Sequence, residues 1–365
     1  IITSYSPYRP FTSIQESGLY IKELENSELT YEKKHELNIG ADMGFLNNRI
    51  NLAVDWYKRN NYDLIGIVNT QGAGGQILKY ANIASMKSHG IEFTLSTKNI
   101  KTKDFNWNTD FIFSNAKNEV TDLKQNANVM ELISGNGFAK QGYPVRGLFS
   151  IPFVGLDKDG IPVIINEKGE ATSTDINFQE RQNTGFLKYE GPTDPTITGS
   201  LGNMFSYKGF RLNLFITYSF GNVIRLNPVF KAYYSDLTAM TREFKNRWTL
   251  PGDEAKTNVP AILSKRMYDS NEDLKYAYNA YNYSTERIAK GDFIRLKEIS
   301  LAYDFPKAWI NPLKLTDLSL KVQATNLFLI YADDKLNGQD PEFFNAGGVA
   351  SPVPRQFTIT LRLGL

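Results

Sequence analysis

Apolar and polar residues alternate along most of this chain, with a period of two. Over residues 37–45, Leu37, Ile39, Ala41, Met43 and Phe45 fall on one face and Asn38, Gly40, Asp42 and Gly44 on the other. The pair Asn47-Asn48 follows, tolerant of a positive φ. The pattern then resumes with Ile50, Leu52, Val54 and Trp56 against Asn51, Ala53, Asp55 and Tyr57. Successive side chains of a β-strand point to opposite faces, so two such runs around a tight turn predict a hairpin. The same alternation returns at Ile91, Phe93 and Leu95, at Phe105, Trp107, Phe111 and Phe113, and more weakly at Ile197, Leu201 and Phe205. It runs from Phe210 to Phe220 after a Lys208-Gly209 turn, from Leu318 to Phe328, and from Phe357 to Leu365. Segments near 31–45, 49–64, 83–98, 104–116, 128–141, 145–155, 196–207, 210–220, 292–305, 317–330 and 355–365 make about eleven strands.

The strand at 292–305 changes phase. Ile294 and Leu296 share one parity, while Ile299, Leu301, Tyr303 and Phe305 share the other. A regular strand cannot face both sets the same way, so one extra residue is predicted, as a β-bulge near Lys297–Glu298.

Alternation alone does not say which face is covered, because a soluble sandwich alternates too. Three features point to lipid. The apolar faces carry no Asp, Glu, Lys or Arg, whereas the polar faces carry Asp42, Asp55, Glu92, Asp110, Arg211, Lys321 and Arg362. A wet lumen accepts such charges and hydrocarbon does not. Connections alternate between short ones, near 46–49, 99–104, 207–209 and 306–316, and long ones, near 66–82, 156–195, 221–290 and 331–354, the rhythm of a bacterial barrel. Aromatic residues (Trp56, Trp107, Phe210, Phe220, Tyr303, Phe305, Phe328, Tyr331) sit near strand ends, where interfacial girdles belong. The fold class is therefore all-β, a transmembrane antiparallel β-barrel. An odd strand count leaves an edge without a closing partner, so these residues are expected to be part of a larger barrel.

Composition changes this picture little. Lys plus Arg, 41, nearly balance Asp plus Glu, 39, and the net charge of +2 gives no basic stripe for nucleic acid. There is no cysteine, which excludes disulfides and thiolate metal sites. No run of about 18 apolar residues occurs, and Ile1–Pro10 lacks the basic start and apolar stretch of a leader.

The chain resembles the C-terminal barrel part of SusC/RagA-type TonB-dependent transporters of Bacteroidota. The resemblance rests on NIGADMGFLNNRINLAVDWY at 38–57, GPTDPTITGSLGNMFSYKGFRLNLFITYSFGN at 191–222, NRWTLPGD at 246–253, GDFIRLKEISLAYDFP at 291–306, TNLF at 325–328 and PRQFTITLRLGL at 354–365, in that order. Each is weak alone, and the ordered set is specific. The resemblance implies a barrel of about 22 strands with a plug, energised through a periplasmic TonB contact and covered by a SusD-like surface lipoprotein, with oligosaccharide or peptide as cargo. Residues 1–365 then begin in an extracellular loop and end at the terminal strand, without the plug or the TonB-contact segment.

Chemistry-bearing residues are sparse. His35 and His89 are isolated, without metal-ligand spacing, and a structural or lumen-facing role outweighs a catalytic one. Gly72, Gly74 and Gly75 sit in a loop and make no phosphate-binding pattern. LDKDGIP at 156–162 lacks the spacing of a calcium loop and predicts a turn with Asp159-Gly160 at its corner. No catalytic, metal or cofactor constellation emerges. The longest connection, 221–290, carries Tyr233, Tyr234, Trp248, Tyr268, Tyr276, Tyr278, Tyr281 and Tyr283. Packing and partner contact are the leading reading for these rings, with direct contact to ligand as the alternative, above all for Tyr233, Tyr234, Trp248, Tyr276, Tyr278 and Tyr281. Active import leads among functions, and a passive porin-like channel or a surface β-adhesin are the alternatives.

Overall fold

A computed structural model describes residues 2–8, 16–23, 25–72, 77–229, 240–271, 273–344 and 354–364. Its strands, in chain order, begin with β1 (Ile2–Tyr8), β2 (Glu16–Glu23), β3 (Lys33–Phe45), β4 (Ile50–Asn69), β5 (Leu78–Lys101) and β6 (Phe105–Leu123). Five short strands follow: β7 (Gly147–Ser150), β8 (Phe153–Leu156), β9 (Pro162–Ile165), β10 (Ala171–Thr172) and β11 (Lys188–Pro192). Then come β12 (Ile197–Tyr207), β13 (Phe210–Phe220), β14 (Val223–Arg225), β15 (Ile288–Lys290), β16 (Phe293–Asp304), β17 (Asp317–Ala332) and β18 (Gln356–Gly364). Four short helices are α1 (Val129–Ile133), α2 (Lys265–Ser270), α3 (Leu274–Asn282) and α4 (Lys307–Ile310).

Nine of these strands form one sheet in the order β18-β17-β16-β13-β12-β6-β5-β4-β3, and every pairing is antiparallel. Set the loop strands aside and this is simple chain order, the meander of an up-and-down barrel wall. The hairpin β1–β2 stands apart from it. Short turns close the strands at one end. Leu46, Asn47 and Asn48 (φ 53°, 54° and 60°) take left-handed conformations in the four-residue turn from β3 to β4, and Lys208-Gly209 (φ 45° and 90°) turns β12 into β13. The second has the positive φ values that a two-residue hairpin turn demands, which Gly209 meets without steric cost.

The register shows why one face is apolar. Met43, Leu52, Leu95, Phe111, Leu201, Ile216, Leu296 and Phe328 lie opposite one another across eight consecutive strands. A second row joins Phe205, Leu212, Leu301, Val322 and Ile359. No side chain of these two rows is buried, and on the edge strand β18 Phe357 and Ile359 are each 74% exposed. One patch interrupts this apolar belt. Thr109 and the indole of Trp107 donate to Asn203 Oδ1 at 2.7 and 2.9 Å, and Asn99 donates to Thr109 at 2.7 Å. Those groups satisfy one another, which keeps the patch tolerable beside hydrocarbon.

The bulge lies where the phase change places it. Phe215 opposes Glu298 and Ile216 opposes Leu296, so Lys297 is the extra residue. Ile294 and Leu296 thereby regain the face of Ile299 and Leu301.

Two expectations need correction. Residues 128–141 and 145–155 are not strands of the wall. They form α1, capped by Asn128, then turns, then β7 and β8 outside the large sheet. Their apolar character comes from burial on every side, since all four residues of β7 are buried; such runs mimic strands with one covered face. Losing an up–down pair leaves the alternation of ends unchanged and makes 124–196 a single long excursion. The connection expected at 66–82 shrinks to 70–77, because β4, β5 and β6 run on past the apolar alternation. There the apolar residues no longer alternate, as at Leu64-Ile65 and Ile67-Val68, which hides the strands from a hydropathy pattern, and a left-handed Asp63 (φ 57°) accompanies a register shift.

Candidate functional site

The face opposite the belt is a polar wall. Asp42, Asp55, Glu92 and Asp110 line it on β3–β6, and Arg211, Lys321 and Arg362 on β13, β17 and β18. Asp110 accepts from Ser96 at 2.6 Å, and Arg211 pairs with Asp304 at 2.8 Å near the short turns. A cleft of about 290 Å³ opens on this wall beside Asp42, Asn51, Thr94 and Ser96. Such a surface offers many hydrogen-bond donors and acceptors of both signs, suited to a wet lumen.

At the other end the long connections fold together. Segment 124–196 and segment 221–292 share a core of Val129, Leu132, Ile133, Phe149, Ile151, Ile164 and Ala280. Helix α1 enters it through a capping box, in which Asn128 Oδ1 accepts from the Glu131 N–H at 2.8 Å and Glu131 accepts in return from the Asn128 N–H at 2.7 Å. The turn at 157–161 joins from the side. Asp157 Oδ1 accepts from the N–H groups of Asp159 and Ile161, both at 2.9 Å. Gly160 stands at its corner with φ 74°, and the Trp248 ring packs so closely there that a Cβ would collide with it.

Three buried arginines hold these loops. Arg225 donates to the carbonyls of Ser284 at 2.8 Å, Phe149 at 2.6 Å and Ile133 at 3.3 Å, which ties 221–292 to 124–196. Burial lowers its pKa to about 9, still above neutrality, so it acts as a cation. Arg287 forms a bidentate pair with Glu243 at 2.6 and 2.9 Å and donates to the Asn227 carbonyl at 2.6 Å. Arg295, on the inner face of β16, reaches Asp340 at 2.5 Å and Glu342 at 3.2 Å, which secures the segment after β17.

Of the aromatic residues singled out from sequence, Tyr233 and Tyr234 lie outside the described residues. Tyr278 and Tyr281 are each 1% exposed, so within this chain they are loop core. Tyr281 meets the Phe153 ring at 5.5 Å, and burial raises the pKa of its hydroxyl. Trp248 is part-buried, its indole N–H given to Glu254 at 2.9 Å. Tyr276 and Tyr268, at 39% and 36% exposure, remain available at the surface, as do Leu250 and Ile262. His35 packs edge-on against Tyr62. No group of three or more potential metal ligands occurs among the described residues.

Sequence inspection missed the loop core and its arginines. The signal for α1 was present, since Asn128-x-x-Glu131 before an apolar run is a helix-start signature. Nothing local marks Arg225, whose three acceptors lie 59 to 92 residues away.

Beside this module, a cleft of about 560 Å³ is lined by Glu243, Asn246, Arg247, Asp253, Lys256, Thr257, Asn258 and Val259. Its two carboxylates are already engaged, Glu243 by Arg287 and Asp253 by Thr249, Leu250 and Lys256. These hydrogen bonds, led by the Leu250 N–H, hold the Asp253 carboxyl down to about 2.

Comparison with known proteins agrees with the architecture. No family profile matches the chain. It is 25% identical to TonB-dependent receptor P3 of Formosa agariphila, over 93% of this chain and 34% of that protein. It is 26% identical to TonB-dependent receptor SusC of Bacteroides thetaiotaomicron, over 93% of this chain and 32% of that one. The chain thus spans about a third of the length of the curated relatives it matches. Among solved structures, the RagAB peptide transporter superposes over 99% of this chain and 38% of its own, with a TM-score of 0.73 and 23% identity.

Proposed function

We propose that this chain is the C-terminal part of the barrel wall of an outer-membrane, SusC/RagA-type active importer of oligosaccharides or peptides, energised through TonB and covered by a SusD-like surface lipoprotein; its likeness in sequence to TonB-dependent receptor SusC and in fold to the RagAB peptide transporter supports the reading. One observation carries the reading: a charge-free belt runs across nine strands, with a polar wall behind it and an ordered loop module at one end only. Lipid on one side, water on the other and a built surface at the mouth suit a gated import route. The reading assigns transport and no catalysis.

The module is the proposed seat of the lipoprotein. Leu250, Tyr268 and Tyr276 stand exposed on it while neighbouring rings are buried, the composition of a contact surface. Purification of the full-length protein from outer membranes tests this. The lipoprotein should co-purify with the wild type, and the variant Leu250→Ser/Tyr268→Ser/Tyr276→Ser should assemble its barrel yet retain much less of it. Unchanged retention would remove the module from the docking role. A stable open conductance in a planar bilayer, without any plug-encoding segment in the full-length protein, would favour the passive channel instead.

A further inference from the structure

Above the belt, the outward face of β4–β6 turns basic. One step beyond Trp56, Ile91 and Asn115, Lys58 lies opposite His89, and His89 lies opposite Lys117. No register shift separates these residues from the belt below, so they share its face. All three are exposed. Among the described residues none of them has an ion-pair partner, whereas Lys87 in the next row binds Glu119 at 3.0 Å. Two lysines without an ion-pair partner, on strands either side of the histidine, form a row of donors that an anion from outside the chain can bridge.

Height selects the anion. Trp56 faces outward and is 37% exposed, and an outward indole marks the boundary between hydrocarbon and headgroups. Two residues further along a strand tilted by about 40° is a rise of roughly 5 Å, which is headgroup level. Leu37, opposite Lys58 on β3, keeps an apolar neighbour there for an acyl chain. We propose that Lys58, His89 and Lys117 form a binding site for the phosphate of an anionic lipid in the leaflet at the long-loop end. The inference rests on the membrane reading of the belt.

The test uses the full-length transporter in nanodiscs of phosphatidylcholine doped with phosphatidylglycerol, with retained lipids counted by native mass spectrometry. Wild type should retain phosphatidylglycerol in preference to phosphatidylcholine. Each lysine near a charged surface contributes about five-fold, so Lys58→Gln/Lys117→Gln should lower that preference roughly twenty-five-fold, while Lys103→Gln in a short turn leaves it unchanged. Equal retention by wild type and the double variant overturns the site. So does displacement of the lipid by millimolar inorganic phosphate, which would make it a site for the free ion. A failure of the belt itself is recognised separately, as normal assembly of a variant with arginine in the belt's middle.

Discussion

Placing one arginine on each face of β13 separates lipid from lumen most directly. Leu214 is the fifth of the strand's eleven residues, and Asn213 precedes it on the opposite face. Eleven residues at about 3.3 Å each, tilted by about 40°, span roughly 28 Å of height, close to the roughly 25 Å apolar band. Leu214 is thus within one residue of mid-height, where an outward arginine costs about 2–4 kcal/mol. Its cross-strand neighbours are Ile299 and Asn203. The Asn203 carbonyl oxygen already accepts from Trp107 and Thr109, so it gives the guanidinium little relief beyond a polar neighbour. We expect Leu214→Arg to lose about 2–3 kcal/mol, a shift of roughly 30- to 150-fold in the folding equilibrium. Asn213→Arg should be near neutral, because Glu298 Oε1 lies 3.4 Å from the Asn213 amide and would meet the new cation. Phe210→Arg, at the short-turn interface, should cost about 0–1 kcal/mol for its charge, plus about 0.5–1.5 kcal/mol for a lost ring pair; that pair is with Tyr303, centroids 4.4 Å apart. The assay is urea titration of the full-length protein in lipid vesicles, read by heat-modifiable gel mobility. Equal folding free energies for the Leu214 and Asn213 variants would refute the facing of this strand and of the register built on it.

Other perturbations reach other parts of the molecule. Arg225→Met keeps bulk but leaves three buried carbonyls without their donor, so loop segment 124–196 should loosen by roughly 2–5 kcal/mol, seen as faster hydrogen exchange in α1 and β7 while the wall stays protected. The Asp253 carboxyl is held to about 2 from an ordinary 3.8, so the stabilisation it gives its turn is present above pH about 4 and lost as pH falls through about 2. Trp248 fluorescence, with the other tryptophans replaced by Phe, should follow that acid transition and show none in Asp253→Asn. Residues 1–365 expressed alone should not give a heat-modifiable monomer in a membrane, because β3 and β18 present open edges and each unpaired backbone group in lipid costs several kcal/mol. A folded monomeric band would count against the open sheet.

Wall strands were legible in the sequence because hydrocarbon imposes a rule on every second residue. Residues 210–220 are identical in expectation and structure, and the others agree within a few residues wherever the strand lies in the belt. Even the displaced residue at Lys297 could be read, since a phase change in that rule has one geometric remedy. Beyond the belt the rule lapses. The upper halves of β4, β5 and β6 keep no one-sided apolar alternation, and their pairing is visible only in the register. The loop module was illegible for the opposite reason: its apolar residues serve a local core, so they imitated strands at 128–155. For the candidate site, tyrosine enrichment pointed to the right segment but could not separate core rings such as Tyr278 from surface rings such as Tyr276. That difference is set by which side of α3 faces Ile161, Leu263 and Met267.

The extra residue at Lys297 acts on β16 like a frameshift that is read twice. Below it the odd-numbered residues Ile299 and Leu301 face the bilayer. Above it the odd-numbered Arg295 faces inward, where it grips Asp340 and Glu342. Delete one residue here and both readings change together: Arg295 swings to the lipid side, and the segment it anchors at the mouth is released. Lys297 could be exchanged for many other residues at little cost, but the number of residues between Leu296 and Ile299 could not. At this point the strand carries its information in its length, and a single-residue deletion should do damage that no substitution of Lys297 reproduces.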